Sequence, residues 1–315
     1  MAELAFDVVT VTLNPAIDLT GAIDNFTLGR VNRLQSTRSC PGGKGVNVAS
    51  ALADFGHAVA ATGFLGAGNS ALFEKLFAEK KIRDCFVRLN GSTRSALKIT
   101  DVLQHETTDI NFPGLTPGHG DIRSLHESIL SLNAACFVLA GSLCPGLPED
   151  FYQSLTLDLK ARGKKVVVDS SGEALRHAVE AAPDLIKPNI HELGILTGLS
   201  LPTTKDVIEA ARSLLKKGIR QVVVSMGARG ACFVSPHSVL MAVPPEISIT
   251  STVGAGDAMV AGLVSAQLAG LSPQDSARLA TAFSLNALSH EGPGLTSKED
   301  VRAFTSDIRI TSFNN

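Results

Sequence analysis

Short apolar runs alternate with segments of helical spacing along most of this chain. Phe6 to Leu13 reads as a buried strand, and Lys44 to Phe55 as a helix stopped by Gly56. Val59 to Phe64, Cys136 to Leu139, Val166 to Val168 and Val222 to Val224 are short runs rich in β-branched residues and are expected as strands. Between them, the spacing predicts helices over Ala71–Lys81, Ile122–Leu132, Glu149–Ala161 and Lys205–Lys217. Pro148 is expected as a first helical residue, and Gly163 and Gly218 follow helix ends. Such alternation implies an α/β fold with a mostly parallel central sheet flanked by helices on both faces.

Two regions break the rhythm. Residues 18–40 and 87–112 show strand-like alternation with no helix between, as in Ala96-Leu97-Lys98-Ile99-Thr100-Asp101-Val102. They are expected to pair as a small separate sheet, a lid over a site. Val243 to Ile249 reads as a further strand, followed by an apolar helix from Ala258 to Ala269, and Thr116 to Asp121 as a surface turn. Neither an internal repeat nor a low-complexity segment is visible.

Composition narrows the function classes. Of 315 residues, 44 % are apolar and 18 % charged, enough apolar material for a substantial core. A net charge of −2 provides no general attraction to nucleic acid or an anionic membrane, and with no Trp and one Tyr there is little to stack on bases. No apolar run approaches the ~20 residues of a membrane span. Met1-Ala2-Glu3-Leu4 lacks the regions of a signal peptide, so a soluble cytoplasmic protein is the expectation. Cys40, Cys85, Cys136, Cys144 and Cys232 lie far apart and form no C-x-x-C pair, against a disulfide framework or a zinc site.

Chemistry concentrates at glycine-rich junctions. In Thr252-Val253-Gly254-Ala255-Gly256-Asp257 the glycines let backbone N–H groups approach a ligand at the start of a helix, whose positive end favours an anion. Asp257 could then take a proton from an attacking hydroxyl. An ordinary helix cap is the competing reading of this hexapeptide. Pro41-Gly42-Gly43-Lys44-Gly45-Val46-Asn47 is a second such junction, with Lys44 as a cation and Asn47 on the first helical turn; it does not satisfy the Walker A pattern, and a plain capped turn remains open. Lys187-Pro188-Asn189-Ile190-His191-Glu192 places Asn189 and Glu192 three apart, able to order waters around Mg²⁺ or to form a capping box.

Ser225-Met226-Gly227-Ala228-Arg229-Gly230 joins two strands, as turn geometry or as a nucleotide contact at a strand's carboxyl end. Gly66-Ala67-Gly68-Asn69-Ser70-Ala71 matches the dinucleotide fingerprint, yet Asp84 precedes the expected strand Cys85–Leu89, whereas the ribose-binding acid ends it. Dinucleotide binding is therefore disfavoured. Asp18, just past the first strand, could accept from sugar hydroxyls, and Arg94 and Lys98 sit in the expected lid.

Together, the Gly-Gly-Lys-Gly-Val-Asn run at 42–47 and Ser251-Thr-Val-Gly-Ala-Gly-Asp257 resemble the two signatures of the PfkB (ribokinase-like) carbohydrate kinase family. Thr12-Leu13-Asn14-Pro15-Ala16-Ile17-Asp18, Asp169-Ser170-Ser171-Gly172-Glu173-Ala174-Leu175 and Ile186-Lys187-Pro188-Asn189 resemble its phosphosugar branch. The likeness spans the chain. It implies a single ribokinase-like domain over 1–315, a β lid that pairs two subunits as a homodimer, and ATP and Mg²⁺ as cofactors. By the same resemblance Asp257 is the base, with an anion hole at Gly254, Ala255 and Gly256. Lys187, Ser225, Gly227, Gly230, Thr252 and Asn286 surround the nucleotide, while Asn189 and Glu192 organise Mg²⁺.

Asp18, Gly43, Asn47 and Asn111 are the implied sugar contacts; Lys44, Arg94 and Lys98 are the cations for a phosphate already on the sugar. Ala258 stands where relatives often carry Ser, a hydroxyl that base chemistry does not need. Gly63-Phe64-Leu65-Gly66 and Asp109-Ile110-Asn111-Phe112 imply fructose 1-phosphate as the phosphorylated ketohexose substrate. Tagatose 6-phosphate or fructose 6-phosphate is the alternative within the family, and a catalytically silent sugar-phosphate sensor the alternative outside it.

Overall fold

The computed structural model describes residues 5–104 and 106–313. The N-terminal reading at residues 1–4 lies outside that range. Eleven strands form one sheet, in the order Arg309–Phe313, Ser238–Val243, Ala231–Ser235, Gln221–Ser225, Leu185–Ile186, Lys165–Asp169, Asn133–Ala140, Ala5–Thr12, Val59–Gly66 and Arg83–Asp84, with Val87–Leu89 also paired to Val59–Gly66. Pairing is parallel from Gln221–Ser225 onward in that order and antiparallel among the preceding three strands and at their junction with it.

Both faces of this sheet are covered, which is why its strands read as continuous apolar runs. Val8, Val138, Val167 and Val223 pack on one side with helices Lys44–Asp54, Ala255–Leu268 and Pro273–Leu288. Val9, Val11, Phe137, Leu139, Val166, Val168, Val222 and Val224 pack on the other with helices His119–Ser131, Phe151–Ala161 and Thr204–Leu215. Period-two alternation sends neighbouring valines to opposite cores.

A separate four-stranded sheet has the order Ser36–Gly42, Ala16–Ile23, Ser95–Asp101, Glu106–Asn111. It contains most of the segments expected to form a lid, with one correction. Val87–Leu89 pairs in parallel with Val59–Gly66 and joins the main sheet instead. Three further expectations fail locally. Val243–Ile249 is not a strand, because Ser238–Val243 ends at Pro244 and Pro245, which cannot donate to a ladder. Pro148 is not a first helical residue: its carbonyl accepts from Phe151 N at 3.0 Å in a turn before helix Phe151–Ala161. Thr116–Asp121 is only half a turn, since helix His119–Ser131 begins inside it and Asp121 accepts from Gly118 N at 2.9 Å. Helices Gly172–Glu180, Pro273–Leu288 and Lys298–Thr305 and strand Arg309–Phe313 are additions to the expected pattern.

Ala5–Thr12 lies between Val59–Gly66 and Asn133–Ala140, where the strand order reverses. Clefts at such points open beyond the carboxyl ends of the strands. Here those ends present Thr12, Ala140, Asp169 and Ile186 toward the segments that carry Gly43, Gly141 and Lys187.

Candidate active site

Gly254 caps helix Ala255–Leu268 at φ 77°, in the left-handed region that glycine occupies without a Cβ clash. The first amides of the helix have no acceptor within it, and the positive end of the helix adds to their field. Lys187 reaches the same place: a Cβ on Gly256 would stand 3.2 Å from its Nζ. Asp257, on the first helical turn, is 7 % exposed and accepts from Asn47 Nδ2 at 2.8 Å. Burial pushes its carboxyl up to about 6; the nearby Asp169 charge adds to this, while Lys44, Asn47 and Lys187 oppose it.

Asp169 ends strand Lys165–Asp169 with its side chain fully buried. Lys44 Nζ lies 3.1 Å from Oδ1 and Lys187 Nζ 3.6 Å from Oδ2, and Oδ2 has no hydrogen-bond partner among the described residues. Against the cost of burial, the carboxylates of Asp169, Asp257 and Glu192 hold the Lys44 ammonium well above its ordinary pKa. Two cations and two carboxylates thus meet in front of the glycine turn, an arrangement suited to binding an anion beside a proton acceptor.

The cleft in front of Asp257 has a volume of about 430 Å³. Thr12, Asn14, Gly43, Lys44 and Asn47 form its floor with Gly141 and Ser142. The small sheet lines it with Asp18, Lys98, Asp109 and Asn111, and Arg94 joins them from just before strand Ser95–Asp101. Burial raises Asp18 to about 6, against the pull of Arg94 and Lys98 and with Asp109 adding to the rise. Lys98 pairs with Asp109 at 2.9 Å. Arg94 donates to the carbonyls of Phe112 and Asn14 at 3.3 Å, but its buried Nε has no partner, and burial lowers its pKa against the attraction of Asp18.

The model for "pfkB family carbohydrate kinase" matches residues 8–300 of this chain. The chain belongs to the pfkB carbohydrate kinase family. A 1-phosphofructokinase of Rhodobacter capsulatus is 45 % identical to this kinase over 306 residues, 96 % of this chain and 97 % of the relative. The 1-phosphofructokinase of Escherichia coli K12 is 39 % identical over 98 % of this chain and 99 % of its own. Among solved structures, phosphofructokinase-2 from Escherichia coli in complex with substrates and products superposes with a TM-score of 0.89 at 30 % identity, covering 95 % of this chain and 98 % of the other. A possible 1-phosphofructokinase from Thermotoga maritima gives 0.87 at 30 %, covering 98 % and 99 %.

Other residues of the kinase fall into three groups. Asn189 caps helix Ile190–Thr197, accepting from His191 N and Glu192 N, while Glu192 Oε2 accepts from Asn189 N at 2.8 Å. The capping box is formed, and it leaves the Glu192 charge felt at Lys44. Ser225 and Gly227 line an open groove beside Asn189, and Thr252 lines a cavity of about 550 Å³ between the small sheet and residues 249–254 and 291–294. Gly230 and Asn286 line none of these three spaces. Gly230 has φ 90° and a Cβ there would run into the Ala242 carbonyl, so close backbone packing accounts for it. Asn286 is buried, accepts from Thr296 N at 3.0 Å and donates to Thr296 Oγ1 at 2.7 Å.

The dinucleotide-like run holds no such ligand space either: a Cβ on Gly66 would meet Ser92 and Thr93 backbone. Asp84 does end a strand, contrary to expectation, but its carboxylate is taken by Arg88 at 2.5 Å. Asp169 is the member of the charged group that residue-by-residue reading passed over. Its local signals are an acid closing a β-branched run at a strand's carboxyl end and its place at the head of the 169–175 run that carries the family resemblance, where it was given no role. Asn14 and Asp109, which lie in runs that carry the family resemblance but were given no role of their own, also enter the cleft, as does Ser142, which had no sequence signal.

Proposed function

We propose that the protein transfers the terminal phosphoryl group of ATP to the free primary hydroxyl of fructose 1-phosphate, yielding fructose 1,6-bisphosphate and ADP. The observation that carries this reading is the buried Asp257 carboxylate, held by Asn47 at the start of the helix that the glycine turn opens. Asp257 orients the acceptor hydroxyl and takes its proton as the O–P bond forms. The amides at Gly254, Ala255 and Gly256, with Lys187, stabilise charge on the moving group. Transfer is direct and in line, with no phosphoenzyme. A carboxyl with a pKa near 6 is ionised at neutral pH and still basic enough for a loose transition state.

Asp18 and Asn111 contact sugar hydroxyls; Arg94, with its unpartnered Nε, is the leading cation for the phosphate already present, and Lys44 and Lys98 support it. Closure of the small sheet excludes water and limits ATP hydrolysis. The 45 % identical relative supports fructose 1-phosphate as the substrate.

The acidic set suits a hard divalent cation: the cap occupies one Glu192 oxygen, and Asp169 Oδ2 has no hydrogen-bond donor. Asn189, Glu192 and Asp169 would hold Mg²⁺, in part through water. Mg²⁺ when bound would neutralise phosphate charge. Ser225, Gly227 and Thr252 contact the nucleotide. The lid's exposed Leu28, Val31, Leu34 and Ile110 support a homodimer through that sheet.

A coupled ADP-release assay on fructose 1-phosphate, fructose 6-phosphate and tagatose 6-phosphate tests the substrate. The expected outcome is the highest kcat/KM on fructose 1-phosphate; preference for either 6-phosphate would replace that substrate, and no turnover on any would leave a sensor.

A further inference from the structure

Asp54 ends helix Lys44–Asp54 at the pole opposite Lys44 and Asn47. Its carboxylate is only 19 % exposed and gathers two donors. Lys80 Nζ lies 2.7 Å from Oδ1 and 2.6 Å from Oδ2, and Leu295 N donates to Oδ2 at 2.8 Å. Gly294 permits this approach. It has φ 101°, and a Cβ there would run into Asp54 Oδ2 and stand 2.7 Å from Lys80 Nζ.

The pinned segment reaches the glycine turn through few bonds. Next to Leu295, Thr296 is tied to Asn286 on helix Pro273–Leu288. The end of that helix then holds the segment leading into the turn: Thr250 N donates to Leu288 O at 2.8 Å, and Thr250 Oγ1 to Ser289 O at 3.1 Å. Gly292, Pro293 and Gly294 line the same 550 Å³ cavity as Thr252, Val253 and Gly254. One rigid helix therefore carries the partner of Asp257 at its first turn and the anchor of the opposite wall at its last.

We infer that Asp54, oriented by Lys80, is a positioning residue for phosphoryl transfer, setting the 289–296 loop and through it the 250–256 segment. This rests on the reading of the 254–256 turn as the phosphoryl site. Neither Asp54 nor Lys80 touches substrate. Misplacement of a reacting group by about 1 Å can cost on the order of 100-fold in rate, so a loosened wall should appear in the ATP kinetics.

The test uses the full chain as Asp54→Ala, Asp54→Asn, Lys80→Met and the exchanged pair Asp54→Lys with Lys80→Asp. Steady-state kinetics with each substrate varied in turn are combined with amide hydrogen exchange. Asp54→Ala is expected to lower kcat/KM for ATP about tenfold or more, leave KM for fructose 1-phosphate within about twofold, and speed exchange in 289–296 and 250–256. Asp54→Asn should recover most of the loss, because an amide oxygen still accepts from Leu295 N. The exchanged pair should not recover it, because an ammonium cannot accept that hydrogen bond.

Should Asp54→Ala misfold, Lys80→Met gives the same readings with a smaller amplitude. Unchanged ATP kinetics beside faster loop exchange would overturn the inference, as would equal losses for both substrates or recovery by the exchanged pair. An active Asp257→Asn enzyme in the same assay would instead remove the reading of the turn, a failure distinguishable because exchange reports the anchoring without turnover.

Discussion

The large sheet is built from valine-rich apolar strands and the small one from strands rich in Thr, Ser and charged residues, and they solve different problems. Valines of the large sheet are almost wholly buried on both faces, as at Val138, Val167 and Val223. The small sheet has one face over the cleft and carries charge there, in Asp18, Lys98 and Asp109. Its edge strand Glu106–Asn111 is exposed throughout. Stability comes from burial, and the proposed function draws on charges left incompletely paired. The large sheet supplies the first and, with its helices, holds Asp169 and Asp257; beside the small sheet, Arg94 keeps a buried Nε with no partner among the described residues.

Removing the body's own reactive group gives the largest expected effect on that contrast. Asp257→Asn should lower kcat by about 10²- to 10⁴-fold or more with ATP affinity nearly unchanged; kinetics as fast as wild type would contradict the assignment. Next, Phe137→Ala, which empties a fully buried position of the large sheet, should cost about 3–5 kcal/mol in urea unfolding. Arg94→Ala in the lid region should raise KM for the sugar phosphate about tenfold or more, with the unfolding midpoint little moved, and the loss should shrink at high salt as screening weakens the wild-type contact.

pH sharpens the same division. As the proposed base, Asp257 acts only when ionised, so kcat/KM should fall as pH drops through about 6, and a profile flat to pH 5 would argue against it. Asp18 predicts a stability effect of the opposite direction. Its folded carboxyl keeps a proton between the ordinary value of 3.8 and about 6, where the unfolded chain has lost it, so stability falls as pH rises through that window. Asp257, raised in the same way, adds a slope of the same sign, so Asp18→Asn should make that part of the stability profile less steep and leave the Asp257 contribution. The smallest effect is expected at the lid edge: Ile110→Ala, already 43 % exposed, should change the stability of the monomer by no more than about 0.5 kcal/mol.

Legibility followed the locality of each signal. Gly254 with Asp257, Gly43 with Asn47, and the lid's alternating strands were readable because each requirement falls within a few residues. Asp169 was not, since its importance lies in standing between Lys44 and Lys187, which approach from distant parts of the chain. Gly230 shows a requirement of another kind: a Cβ there would run into the Ala242 carbonyl, a close approach that its local sequence does not announce. Val87–Leu89 has strand character whichever sheet it joins, and only Val59–Gly66 decides that it belongs to the large one.

Residue order alone determined the alternating α/β architecture, the two glycine junctions and the acid at the second, because hydrophobic period and glycine's backbone freedom act over short distances. Tertiary structure decided which charges meet. Strand order at the reversal beside Ala5–Thr12 brings Asp169, Lys187, Asn47 and Asp257 together, and burial there raises the Asp257 carboxyl toward neutrality. Electrostatic fields depend on distance through space and on loss of water, and neither quantity is written along the chain.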